Sequence, residues 1–153
     1  MDRTNAIEKL YSESLEYLFK QDSTAGMTCS SDSHLAIVYT TFLRHAQRHV
    51  YIFHGSMSIL NNKDVTREAQ RAIERGVEIK CLNSGEFQET TFEKLLPKGN
   101  FKAEPAHKPF CFVVMDDKAL YWNSDNRLST RVYVNNRKIA KILETHFKQV
   151  WSK

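Results

Sequence analysis

The chain has 153 residues, the length of one ordinary domain, with 41% hydrophobic and 26% charged residues, a balance that excludes wholesale disorder and collagen-like structure. No apolar run approaches the roughly 18–20 residues that span a bilayer, and Met1-Asp2-Arg3-Thr4-Asn5 lacks a signal-peptide apolar core. The net charge of +4 is unevenly spread: Arg127 to Lys153 holds seven basic residues and one acid, +6, whereas residues 1–126 carry −2. That asymmetry points to an anionic partner, nucleic acid or another phosphate-bearing ligand. Cys29, Cys81 and Cys111 are too widely spaced for a disulfide framework or a zinc site. The expectation is a cytoplasmic protein with no transmembrane segment.

From the N-terminus, Ile7, Leu10, Tyr11, Leu15, Leu18 and Phe19 recur at helical spacing and predict a helix over 4–20. Gln21 to Ser31 is small and polar and reads as a loop. Residues 1–30 are therefore expected to form an N-terminal helical extension, and 31–153 the main domain. A second helix, capped by Ser31, Asp32 or Ser33, buries Leu35, Val38, Tyr39, Phe42, Leu43 and Ala46. Val50-Tyr51-Ile52-Phe53 follows as a β-branched, aromatic strand.

After a loop at 54–58, Asp64 is the expected cap of a third helix that buries Val65, Ala69, Ala72 and Ile73 and ends at Gly76. Val77 to Leu82 is the next strand, and the strand–helix–strand unit predicts a parallel pair. A short helix over 90–96 precedes strands at 101–104, 110–115, 119–122 and 128–134, with Asp116-Asp117-Lys118 as a tight hairpin. The last helix, 137–151, places Ile139, Ile142, Leu143, Phe147, Val150 and Trp151 inward and Arg137, Lys138, Lys141 and Lys148 outward. The pattern is that of an α/β domain whose mixed sheet is covered by helices.

Two stretches resemble the phospholipase D-like (HKD) superfamily. One is the strand 50–53, its loop, a helix ending Ala72-Ile73-Glu74-Arg75-Gly76, and the strand entry Val77-Glu78-Ile79-Lys80. The other is Phe112-Val113-Val114-Met115-Asp116, followed after six intervening residues by Asn123-Ser124-Asp125-Asn126. The second is similar to the family's His-x-Lys, four residues, Asp, six residues, Gly-Ser and a nearby Asn, with Asn123 in place of the glycine. The resemblance runs from about Leu35 to Trp151 and implies a phospholipase D-like mixed sheet flanked by helices on both faces. It also implies a phosphodiesterase or nuclease site in which one His attacks phosphorus and a second copy's His protonates the leaving group. The family's Lys and Asn bind phosphate oxygens, with no metal or cofactor. A chain holding one motif would complete its site as a homodimer.

Counting back from Asp116, the nucleophilic His falls on Pro109 and the Lys on Cys111. His107 is the remaining catalytic candidate. On an extended strand it lies on the same face as position 109 but about 6.6 Å away, too far for a near-attack geometry. Lys108, Asn123, Ser124, Asn126 and His54, the last at the carboxyl end of a strand, are the candidate phosphate-binding residues. His45 and His49, four apart, match metal-ligand spacing on a helix, but no third ligand joins them, and they are expected to be exposed helix residues. The sequence thus predicts a catalytically degenerate domain that binds a phosphate-bearing ligand, most simply nucleic acid. The alternatives are a metal-independent phosphodiesterase using His107 and a homodimeric protein-interaction scaffold.

Overall fold

The computed structural model describes residues 3–21, 24–29, 31–54, 58–83, 91–103, 110–116, 118–123 and 130–152. Their centre is a seven-stranded mixed sheet, formed by β1 (Ala25–Cys29), β2 (His49–His54), β3 (Glu78–Asn83), β4 (Phe101–Ala103), β5 (Phe110–Met115), β6 (Lys118–Asn123) and β7 (Thr130–Val134). The strand order is β1-β7-β6-β5-β2-β3-β4. β2, β3 and β4 run parallel, and the other neighbours pair antiparallel. Helices cover both faces, so the expected architecture is the observed one.

Strand alternation divides the core in two. Val50, Ile52, Ile79, Cys81, Val113, Met115, Val132 and Val134 pack on one side, beneath α1 (Arg3–Lys20), α2 (Asp32–His45), α3 (Lys63–Glu74) and α4 (Thr91–Lys94). Tyr51, Phe53, Leu82, Phe112, Val114 and Ala119 face the other way and meet α5 (Arg137–Trp151) through Ala140, Leu143, Phe147 and Val150. Both sides of β2 are buried, which is why it reads as a continuous apolar run. Each large side chain buried in this way contributes about 1.5–3 kcal/mol.

Local chemistry sets the helix ends. Ser31 caps α2, its hydroxyl accepting from the His34 N–H at 3.1 Å. Asn136 caps α5 by accepting from the Ile139 N–H. Gly76, with φ of +91°, turns the chain out of α3 and into β3 at a backbone angle costly to other residues.

Several expectations are corrected. The loop expected at 21–31 contains β1, which pairs with β7 from Ala25↔Val134 to Cys29↔Thr130. Its Ala-Gly-Met-Thr-Cys composition has little strand propensity, and β7 supplies the pairing that sequence alone does not show. Asn62, not Asp64, caps α3, its amide oxygen accepting from the N–H groups of Asp64 and Val65. His49 opens β2 rather than lying on a helix, and its side chain is 12% exposed. Ile142 is 67% exposed because the buried stripe of α5 runs through Ala140, Leu143, Phe147 and Val150, about 100° away around the helix. On α1, Leu15 is buried whereas Ile7 and Leu10 face solvent.

Candidate functional site

The sheet register brings the candidate site to one end of the strands. β2 runs parallel to β3, with His54 beside Asn83, and antiparallel to β5, with Phe53 beside Phe112. β5 in turn pairs Phe110 with Asn123, the last residue of β6. The carboxyl ends of β2, β3, β4 and β6 and the first residue of β5 therefore share one edge, where open α/β sheets bind ligands. With strands about 4.8 Å apart, the backbones of His54 and Asn123, two strands apart, are separated by roughly 10 Å. His54 and Asn123 are placed here by their backbone register. His107, Lys108, Ser124 and Asn126 lie outside the described residues.

Asp116 sits at the opposite end, in the hairpin between β5 and β6. Its φ of +47° is the left-handed conformation that Asp tolerates better than most residues. Its carboxylate accepts three backbone N–H groups, from Gln47 at 2.8 Å, Arg48 at 3.1 Å and His49 at 3.1 Å. The aspartate of the signature-like stretch thus fastens the hairpin to the turn that launches β2. β5 rises about 17 Å between Phe110 and Met115, so this clamp is far from the candidate site.

Arg75 also acts structurally. Its guanidinium donates to the carbonyls of Leu43 (2.7 Å), Ala46 (3.1 Å) and Arg44 (3.3 Å). These belong to the end of α2, where carbonyls have no partner within the helix. The Arg75-Gly76-Val77 run is therefore one joint, tying α2 to α3 and α3 to β3.

His49 lies between two carboxylates, with Nδ1 4.0 Å from Asp116 and Nε2 3.8 Å from Glu144, and its ring stacks on Tyr51 at 4.5 Å. Burial holds the imidazole below the usual histidine range, against the opposing pull of Glu144 and Asp116, and Arg48 and Lys148 add to the lowering. Tyr51 donates to Glu78 at 3.0 Å, and burial together with that carboxylate raises its hydroxyl to about 12. His45 pairs with Glu16, as does Arg44. Burial raises the Glu16 carboxyl, but the hydrogen bonds from Arg44 and His45 outweigh it and hold the group low. Burial, aided by Glu93, raises the Cys81 thiol and makes it a poor nucleophile. Among the described residues, no group of three or more His, Cys, Asp and Glu side chains is arranged to hold a metal ion.

His146 is an imidazole not singled out in the sequence. It is exposed on α5, with its ring 6.1 Å from those of Phe53 and Phe112. Phe53 immediately precedes His54, and Phe112 is two residues from Phe110. Only the helical phase of α5 relative to β2 and β5 signals this proximity, and that phase is a tertiary property.

No protein-family profile and no curated protein sequence matches the chain. Solved structures do. TrmBL2, an archaeal chromatin protein with a DNA-binding mode described as novel, is 14% identical over 98% of this chain, with a TM-score of 0.62. This chain spans 59% of that protein's length. Nuc from Salmonella typhimurium, a phospholipase D family member, is 14% identical over 85% of this chain and 94% of its own, with a TM-score of 0.64. NucT from Helicobacter pylori is 13% identical over 83% of this chain and 94% of its own, with a TM-score of 0.57. At these identities the likeness is one of architecture, and on that ground the chain has a phospholipase D-like fold.

Proposed function

We propose that this chain is a phospholipase D-like domain that binds a phosphate-bearing ligand, nucleic acid above all, and that lacks the family's nucleophile. The observation that carries this reading is the register at the sheet end. It brings the backbones of His54, Phe110 and Asn123 to one end of the sheet, the end at which open α/β sheets commonly bind ligands, while the signature positions for His and Lys hold Pro109 and Cys111. Asn123, Ser124, Asn126, Lys108 and His54 are the proposed phosphate contacts, and the reading requires neither metal nor cofactor. The DNA binding of the archaeal chromatin protein favours nucleic acid over smaller phosphate esters. The cytoplasm is the proposed location. Among the described residues no helix is long and apolar enough to cross a membrane.

Titration with a labelled oligonucleotide across a salt series tests the proposal. Binding whose logarithm falls linearly with log[salt] is expected, because phosphate contacts release counterions. No cleavage is expected in the presence of chelator. Cleavage that persists in chelator and disappears in His107→Ala would replace the proposal with a metal-independent phosphodiesterase. Absence of salt-dependent binding would leave a protein-interaction scaffold. The proposed assembly is a two-fold homodimer that faces the two sheet ends toward each other. Light scattering at micromolar concentration refutes the dimer if the mass stays at the 17.8 kDa of one chain.

A further inference from the structure

The two sides of the sheet differ in charge. The four helices on one side, α1 to α4, carry eight basic and eight acidic residues and are neutral as a set. On the other side α5 alone carries four basic residues and one acid. Lys138, Lys141 and Lys148 lie opposite the buried stripe of Ala140, Leu143, Phe147 and Val150, and all three are exposed. Lys138 and Lys141 make no ion pair among the described residues, while Lys148 pairs with Glu144 at 3.0 Å. Arg131 is on the same side of the sheet. It is exposed on β7, and its strand neighbours Val132 and Val134 pack on the opposite side, so it projects toward the side of α5.

The helix also has a direction. It starts after β7, passes His49 through Glu144 and Tyr51 through Phe147, and ends at Trp151. There Lys102 and Lys80 sit over the indole ring at 4.6 and 5.1 Å. Lys102 lies one residue before the end of β4, at the edge of the sheet that holds the candidate site. The basic side chains therefore run from the Asp116 end of β2, where Lys148 pairs with Glu144, across to Lys80 and Lys102 on β3 and β4.

We infer that the outer face of α5, on the side of the sheet that also carries Arg131, is the surface along which the sugar–phosphate backbone of a nucleic acid lies. This rests on the nucleic-acid reading above and locates the strand that it requires. Lys138 to Lys148 spans about 15 Å of helix, the length of about four phosphates along one strand of a duplex. The charge complementarity is that of a polyanion laid lengthwise. A lipid surface is a poorer fit, because an interfacial helix turns its apolar face to the membrane. In α5 that face is already buried against β2, β5 and β6, and Ile142 is its one large apolar side chain that is highly exposed.

The test compares the salt dependence of oligonucleotide binding in the wild type, in Lys138→Gln/Lys141→Gln, and in Lys9→Gln/Lys63→Gln from the neutral side. All four lysines are exposed and Gln has similar helix propensity, so each variant folds. Loss of two phosphate contacts lowers the magnitude of the log–log slope by about 2 and weakens binding at 0.1 M salt roughly 30- to 100-fold. The Lys9/Lys63 variant keeps the wild-type slope. If the wild type binds with a salt slope and both variants match it, the α5 inference is overturned while the nucleic-acid reading stands. If the wild type does not bind at all, both fall. Tighter binding to vesicles of one-third phosphatidylserine than to the oligonucleotide would assign the surface to membranes and overturn the inference.

Discussion

Asp116→Ala removes the acceptor for three backbone N–H groups at once, and its cost can be worked from the geometry. Charge-assisted hydrogen bonds contribute about 1.5–3 kcal/mol each when their donors are buried. Gln47 and Arg48 are exposed, so water takes over much of two of these bonds, whereas the His49 N–H is half-buried. The three together are then worth about 3 kcal/mol. Alanine at φ of +47° adds roughly 1–2 kcal/mol of left-handed strain, for a total near 4–5 kcal/mol. At about 2–4 °C per kcal/mol for a chain of this size, Tm falls by roughly 10–15 °C. Asp116→Asn keeps one acceptor oxygen and tolerates the backbone angle, so its loss is about 1–2 kcal/mol and 3–6 °C. Thermal unfolding followed by far-ultraviolet circular dichroism measures both. An Ala variant within a degree or two of the wild type, or no more damaged than Asn, would refute the clamp. Because Asp116 lies a strand's length from the candidate site, Asp116→Asn should also keep wild-type oligonucleotide affinity below its melting range.

Arg75→Ala strips three carbonyls at the end of α2 of their donor and is expected to cost about 2–3 kcal/mol, read from the urea midpoint. Phe147, buried and stacked between Tyr51 and Trp151, should lose about 3–5 kcal/mol on conversion to Ala, whereas Ile142→Ala should stay within about 0.5 kcal/mol. Equal losses at the two positions would contradict the helical phase of α5. Because the folded protein holds His49 below its unfolded value, the unfolded chain takes up that proton at higher pH. Stability therefore falls as pH drops through about 6.5 until the folded imidazole titrates too. His49→Phe should narrow the gap between urea midpoints at pH 7.5 and 5.5, and an unchanged gap would remove His49 as its source.

The elements legible in the sequence are those whose periodicity is sustained by burial. α2, α3 and α5 each carry a stripe of apolar residues, and β2 and β5 are β-branched or aromatic runs buried on both sides. What was not legible depends on partners distant in sequence. β1 is a strand because β7 lies beside it, more than a hundred residues away. The clamp on Asp116 reaches back 67 to 69 residues, and Arg75 reaches back 29 to 32. Either residue, read alone, is an ordinary surface charge. The α3 cap moved by two positions because Asn62 and Asp64 both carry a suitable oxygen, and local sequence does not say which one precedes the first helical turn.

Arg75, Gly76 and Asp116, three of the described residues that carry the resemblance, are joints of the fold. They join α2, α3, β2, β3 and the β5–β6 hairpin, and two of them, the Arg75 cap and the Asp116 clamp, meet at the turn between α2 and β2. The positions where chemistry would occur are at the other end of β5, about 17 Å away. Such a separation makes the two sets of residues physically independent, since sites that share no partners and lie beyond about 10 Å combine additively. A proline at position 109 precedes the first ladder pair, Phe110↔Asn123, so the lack of an N–H there breaks none of the observed pairing. Cysteine at 111, on the central strand β5, is a small, weakly polar residue type that a sheet accommodates more readily than a charged lysine. Proline at 109 and cysteine at 111, where the resemblance expects His and Lys, are therefore compatible with an intact phospholipase D-like sheet. On the proposal that those two groups are absent, the charge for phosphate comes from elsewhere on the molecule, and α5 is the helix that carries it in excess.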